Sequence, residues 1–258
     1  MQLTLHVRFG EGETGDLARG VRSLLNREGE HWYVCLACEV EAVKRTPYSD
    51  EVIGVDLGVS KLATLSNGDV IENPRHYRKA EQRLEKAQQA LSRKKRGSNR
   101  RKKAVKAVSR IHRKTRNQRN DYLHKHSRWL VGCYETIVFE DIAPSNLSKR
   151  AKPKQDGVTG HYLPNGASAK SGLNKSILDA GWHQFITFCE YKAANAGTVQ
   201  VVKVDPRYTS QACSQCGTIK KKELSERWHS CECGAELDRD HNAAINIARL
   251  GSRHQAGA

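Results

Sequence analysis

Three carboxylates in this chain sit at the ends of apolar runs, where a bare charge is costly. Asp56 lies inside the stretch EVIGVDLGVSKLATLS, flanked by Val55 and Leu57. Burying an ionised carboxylate among such residues is strongly unfavourable unless something compensates it. A divalent cation at the end of a sheet is one compensator; a strand-end turn is the simpler alternative. Glu140 closes a second apolar run, Thr136-Ile137-Val138-Phe139. Asp240 follows Asp238 and opens the helical run from Ala243 to Leu250, where the competing role is to cap the helix. Clustered carboxylates raise one another's pKa unless cations neutralise them. Paired Mg²⁺ or Mn²⁺ ions would do so, one activating water and the other stabilising a leaving 3′ oxygen as a phosphodiester is cleaved in line.

The cysteines carry a different chemistry. Cys213-Ser-Gln-Cys216-Gly217 and Cys231-Glu-Cys233-Gly234 are separated by 14 residues between Cys216 and Cys231. Two such pairs, each followed by glycine, form the zinc-ribbon pattern. In a reducing compartment, four thiolates around Zn²⁺ are favoured over two disulfides. The second pair is CxC rather than CxxC, which tightens the geometry and makes His229 an alternative ligand. The site would be closed and structural. Cys35 and Cys38 have CxxC spacing too, but residues three apart on a strand point to opposite faces, so they read as filler.

Stepping outward, the elements that must position these groups alternate in period. Residues 1–49 alternate at period two (Leu3, Leu5, Val7, Phe9; then Trp32, Val34, Leu36, Cys38, Val40), with a turn expected at 26–30. Residues 51–72 read as three antiparallel strands with Asn67-Gly68 as a hairpin turn. Residues 75 to about 132 read as two long helices broken at Gly97-Ser98-Asn99. Residues 149–176, rich in Gly, Pro, Ser and Lys, read as a mobile loop or lid. An amphipathic helix is expected over 177–196 and a strand over 199–204.

At 258 residues the chain can bury a full core. It holds no apolar run long enough for a membrane span, and its first residues lack the basic and apolar blocks of a signal peptide, so a soluble, intracellular protein is expected. The formal charge of +16 is concentrated: Arg75 to Arg128 holds 21 Lys and Arg against 3 Asp and Glu, leaving 23 against 25 elsewhere. Like charges this dense repel at i,i+4 unless a polyanion lies alongside, which makes nucleic acid the leading partner class. The candidate contacts are Arg93, Lys94, Lys95 and Arg96, then Arg100, Arg101, Lys102 and Lys103, then Arg110, Arg113 and Lys114. A solvated basic hairpin is the alternative.

GVDLG, VFEDI and DRDHNAAINIA resemble the three segments of a split RuvC (RNase H-like) nuclease. With KVDPRYTSQACSQCG and CECG placed just before the last segment, the chain resembles the transposon-encoded TnpB (OrfB) family, relatives of type V CRISPR effectors. The resemblance runs from about Trp32 to the end. It implies an RNA-guided DNA endonuclease, with guide RNA and target DNA as partners, acting in the prokaryotic cytoplasm at the nucleoid. It implies Asp56, Glu140 and Asp240 as catalytic acids holding Mg²⁺ or Mn²⁺, Asp240 being chosen over Asp238 because the family's acid stands two residues before the Asn that is here Asn242. It maps the structural Zn²⁺ to Cys213, Cys216, Cys231 and Cys233.

The fold class expected is α/β: an RNase H-like mixed sheet with inserted basic helices and a zinc ribbon, preceded by a partial β-barrel. The boundaries expected are 1–49 for the partial barrel and 50–207 for the first two nuclease segments, with the basic insertion at 75–132 and the lid at 149–176. The ribbon then takes 208–236, and the last segment and tail 237–258. Family members carry a longer N-terminal half, so a helical recognition bundle and part of the barrel are expected to be absent. A cleavage-inactive RNA- or DNA-binding regulator and a strand-joining transposase are the competing readings; the first is less favoured because all three acids are present, the second because no tyrosine or serine recombinase arrangement is visible.

Overall fold

The computed structural model describes residues 2–8, 25–28, 31–39, 46–223 and 226–256. The chain divides into two compact units, Met1–Lys44 with Ala80–Asn117, and Arg45–Lys79 with Gln118–Ala258.

In the first unit, the period-two segments form strands β1 (Gln2–Arg8), β2 (Leu25–Glu28) and β3 (His31–Glu39), paired antiparallel in the order β1-β3-β2. The turn expected at 26–30 narrows, because Glu28 pairs with His31 and only residues 29 and 30, outside the described set, are left to connect them. Phe9 and the side chains of Cys35 and Cys38 also lie outside the described residues. Where a partial barrel is expected over 1–49, the described residues form this three-stranded sheet. The same unit holds most of α1 (His76–Ser92) and the first half of α2 (Asn99–Cys133). In the first half of α2 the half-buried or buried positions are 101, 104, 108, 111, 113 and 115, all but 113 spaced three or four apart. That three-to-four spacing defines one inward stripe.

The second unit is built on a mixed sheet ordered β10-β7-β4-β5-β6, from β4 (Ser49–Leu57), β5 (Lys61–Leu65), β6 (Val70–Glu72), β7 (Tyr134–Glu140) and β10 (Gln200–Val204). β4, β5 and β6 are an antiparallel meander, whereas β7 runs parallel to β4 and β10 parallel to β7. Strand alternation sorts the side chains onto two faces. Ile53, Val55, Ile137 and Phe139 pack into the main core with Leu123 and Leu130 of α2 and Phe185, Ile186 and Cys189 of α5 (Trp182–Ala196). Val52, Val138, Val202 and Val204 pack instead with Ile247 and Leu250 of α6 (Arg239–Ala256).

Helix α6 lies unusually close to the sheet, and two glycines permit it. A Cβ on Gly54 would fall 2.0 Å from the Ala244 carbonyl oxygen, and one on Gly251 would fall 2.3 Å from a Val138 methyl. Neither contact could exist with a side chain present.

Residues 149–176 are more ordered than a free lid. They follow α3 (Pro144–Leu147), contain the short antiparallel pair β8 (Lys154–Gln155) and β9 (Tyr162–Leu163), and enter α4 (Ala167–Ala180) ten residues before the helix expected from periodicity. Side chains reaching backbone carbonyls hold the segment: Lys170 Nζ donates to Leu147 O at 2.6 Å and Asn174 Nδ2 to Ser148 O at 2.8 Å. The single helix expected over 177–196 is two, α4 and α5, because Gly181 takes φ +70° between them.

Candidate active site

The sheet parity decides where the carboxylates go. Asp56 shares its parity with Val52 and Gly54, and Glu140 with Val138, so both belong to the α6 face. In the β4–β7 pairing Gly54 is opposite Val138 and Val55 opposite Phe139. One residue further along, Asp56 stands beside Glu140. Asp240 sits in the first turn of α6, the helix pressed on this face through Gly54. Three segments more than 80 residues apart in sequence therefore converge at the carboxyl end of the two parallel strands.

The electrostatics follow from that convergence. The Asp56 carboxyl is held well above the ordinary carboxylate range, by burial first and then by the charges of Glu140 and Asp240. Glu140 is also raised by burial, against the hydroxyl of Thr209, which donates to its Oε1 and lowers it. Arg239 Nε lies 3.6 Å from Asp240 Oδ1 and also favours ionised Asp56. An all-oxygen set carrying this much negative charge suits Mg²⁺ or Mn²⁺.

The cap of α6 is Asp238, not Asp240. Asp238 Oδ1 accepts the Asp240 N–H at 2.9 Å and the His241 N–H at 3.2 Å. Lys61 Nζ lies 3.8 Å from its other oxygen. Periodicity could not separate these two acids, because both precede the same apolar run.

The four cysteines also converge. Their sulfurs all lie within 4.8 Å of one another, and among the described residues no other group of three or more potential ligands closes so tightly, so the carboxylates stand further apart than this. The Cys213–Cys233 and Cys216–Cys231 sulfur pairs are each 3.6 Å apart. A tetrahedron with Zn–S bonds of about 2.3 Å has edges of about 3.8 Å, so the donor set fits zinc. Backbone N–H groups of Gln215 and Cys216 point at the Cys213 sulfur and lower its pKa although burial raises it. The Thr218 hydroxyl and N–H lower Cys216 to about 6. Gly217 (φ +78°) makes the turn between Cys216 and Thr218, and Gly234 (φ +88°) the matching turn from which the Ala235 N–H meets the Cys233 sulfur. His229 is not one of the four. It is buried on β11 (Trp228–Ser230), paired with β12 (Glu236–Asp238), with Nδ1 against Lys222 Nζ and Nε2 unpartnered.

Sequence reasoning missed the groups that join the two centres. Asn242, fully buried, accepts the Ser214 N–H at 2.9 Å and donates to Ala212 O at 2.7 Å. Asn246, one turn later, donates to Thr209 O at 2.9 Å and Ala212 O at 2.8 Å. Helix α6 thus anchors the loop that carries both Thr209 and Cys213. The signal was present as Asn at i and i+4 in an otherwise apolar helix face, where a buried amide needs partners.

The basic segment is not uniform. Arg93, Lys94, Lys95, Arg96, Arg100, Lys102, Lys103, Arg110 and Lys114 are exposed. Arg101 instead donates to Leu91 O at 3.1 Å and Lys94 O at 3.2 Å, closing the end of α1. Arg113 donates to Glu28 O at 3.3 Å, and Arg116 forms a forked pair with the Glu28 carboxylate.

Residues 35–151 match the family model described as OrfB_IS605, probable transposase, and residues 182–247 match the Cas12f1-like TNB domain. The chain belongs to the transposon-encoded OrfB (TnpB) family. The two matches contain all three carboxylates and all four clustered cysteines. Among relatives, this OrfB-family chain is 38% identical over 222 residues to a putative RNA-guided DNA endonuclease of Streptomyces pristinaespiralis, covering 85% of this chain and 50% of the relative. It is 39% identical to the putative RNA-guided DNA endonuclease InsQ of Escherichia coli K12, covering 85% of this chain and 54% of the relative. The chain thus spans about half the length of these relatives. Its fold is shared with the Cas12f1 chain of a Cas12f1–sgRNA–target DNA complex, at a TM-score of 0.51 and 16% identity over 88% of this chain and 55% of that one. Among the described residues no helix is long and apolar enough to cross a membrane.

Proposed function

We propose that this chain is an RNA-guided DNA endonuclease, its sheet a RuvC-like nuclease core and its N-terminal strands part of a β-barrel. The observation that supports this best is the β4–β7 register, which sets Asp56 beside Glu140 on the face where α6 brings Asp240. Asp56, Glu140 and Asp240 would hold two Mg²⁺ or Mn²⁺ ions, which when bound supply an activated water and charge neutralisation at the leaving oxygen. The chain's own residues prepare that site. Thr209 fixes one oxygen of Glu140 by hydrogen bond. Asp238 takes over the helix N–H groups and leaves the Asp240 carboxylate available. Gly54 lets α6 approach closely enough for the acids to share a site.

Cys213, Cys216, Cys231 and Cys233 would hold a structural Zn²⁺ that fixes the loop carrying Thr209. The exposed cations from Arg93 to Lys114 contact the backbone of a guide RNA–target DNA duplex, recognised by shape and charge rather than by base. A protein of this kind acts in the cytoplasm, at the nucleoid.

The test has two arms. RNA copurifying with the chain is sequenced, and its complement is supplied as labelled duplex DNA with Mg²⁺. Cleavage by the native chain and none by Asp56→Ala, with binding nearly unchanged, supports the reading. Equal loss of binding and cleavage in Asp56→Ala removes Asp56 from catalysis. Binding without cleavage by the native chain puts the regulator reading in its place.

A further inference from the structure

Two exposed aromatic residues adjoin residues that hold the carboxylates, Tyr208 next to Thr209 in sequence and Trp228 opposite Asp238 in the strand pair, and neither is used by the mechanism above. Tyr208 is 56% exposed although it directly precedes buried Thr209, the residue bonded to Glu140. Its φ is +64°, a left-handed conformation that costs an aromatic residue stability. The surrounding loop enforces it. The Tyr208 carbonyl accepts the N–H groups of Gln211 and Ala212 at 2.9 and 2.8 Å, the Asp205 carboxylate accepts the Arg207 N–H at 2.9 Å, and Asn246 grips Thr209 and Ala212. Packing does not explain a strained backbone that presents an exposed ring to solvent, and such strain points to a role in binding.

Trp228 is the counterpart. It is 59% exposed and stands directly opposite Asp238 in the β11–β12 pair. Opposite residues share a face, so the indole shares the side of the ribbon with the carboxylate that caps α6 beneath Asp240. Cations accompany both rings. Arg207 is exposed next to Tyr208, and Lys220, also exposed, is tied to the same loop by its N–H to Gln211 O at 3.2 Å. Exposed Arg227 precedes Trp228, and its carbonyl accepts the Arg239 N–H at 2.9 Å.

We infer that Tyr208 and Trp228 are base-stacking platforms on the Glu140 and Asp240 sides of the carboxylates, and that the strand they receive is single-stranded DNA. Exposed aromatics with adjacent cations bind unpaired strands because every base has a free face to stack, whereas duplex bases are already stacked on each other. The rings would hold the nucleotides on either side of the phosphate that meets the acids, so the site reads strandedness rather than sequence. The inference rests on the nuclease reading for the identity of the strand.

The experiment measures quenching of 2-aminopurine in a single-stranded DNA oligonucleotide by the full chain with its copurified RNA, with Ca²⁺ in place of Mg²⁺. The native chain should quench the fluorophore in the single strand, and should leave unchanged its emission within a matched duplex, where base stacking already quenches it. Tyr208→Gly keeps the left-handed backbone and removes the ring; Trp228→Ala removes the other. Each should weaken single-strand binding roughly 5- to 100-fold and reduce the quenching, while Tyr208→Phe and Trp228→Phe should retain both. Unchanged affinity and quenching in Tyr208→Gly and Trp228→Ala, or an equal loss of duplex binding in those variants, overturns the inference. A Mg²⁺ cleavage assay on the same preparation separates the two readings. Cleavage without quenching defeats the stacking platforms alone, and quenching without cleavage defeats the nuclease reading alone.

Discussion

At the scale of single residues, the site separates groups that hold charge from groups that hold those groups. Asp238 and Asp240 are two positions apart, and periodicity alone does not separate them. Their hydrogen bonds distinguish them, since Asp238 caps the helix. Asp238→Ala should therefore lower stability by about 1 kcal/mol, the value of a helix cap, measured by thermal unfolding. Asp240→Ala should leave the unfolding midpoint nearly unchanged and abolish cleavage. Thr209 acts one step back from the reaction. Thr209→Val removes the hydroxyl bonded to Glu140 and should lower kcat on the order of tenfold, about the worth of one hydrogen bond to a charged group, with DNA binding retained. An unchanged kcat would make the Thr209 contact incidental.

At the scale of elements, the account turns on how α6 is seated. The strand–turn–strand pattern of 51–65 and the helix break near Gly97 were legible because local periodicity and turn chemistry specify them. The intimate contact of α6 with β4 was not, since nothing near Gly54 in sequence says that residue 244 will press against it. Gly54→Ala places a Cβ 2.0 Å from a backbone oxygen and should cost about 3 kcal/mol through overpacking, read as a lowered unfolding midpoint with cleavage lost because Asp240 rides on the displaced helix. The start of α4 at Ala167 escaped for the opposite reason. Its sequence, ASAKSGLNKS, has weak apolar periodicity, and side-chain bonds to distant carbonyls hold the segment instead. Asn242 links the elements of the two centres. Asn242→Ala strands a buried N–H on Ser214 and should cost about 1–3 kcal/mol and weaken zinc retention, measured by chelator competition.

At the scale of the whole molecule, the basic residues and the clustered carboxylates occupy different stretches of chain. The carboxylates and cysteines could be picked out singly from residue type and spacing, but their convergence is a property of sheet parity, helix seating and the Asn242 and Asn246 bonds, none of which is local. The basic segment was legible as a total and not in its parts. Arg101 and Arg113 looked like their neighbours and are bonded to backbone carbonyls. Replacing Arg100, Lys102 and Lys103 with alanine should weaken nucleic-acid binding and lower the slope of log affinity against log salt by roughly 2–3. Arg101→Ala should instead loosen the end of α1, seen as faster amide exchange over the residues just before Ser92.

The central claim is that Asp56, Glu140 and Asp240 form one divalent-cation site. Mn²⁺ titration of the zinc-loaded chain, followed by electron paramagnetic resonance, tests it most directly. The account predicts a bound Mn²⁺ signal that Mg²⁺ displaces and that Asp56→Ala, Glu140→Ala and Asp240→Ala each abolish. A signal that survives any one of these substitutions at full strength would contradict it.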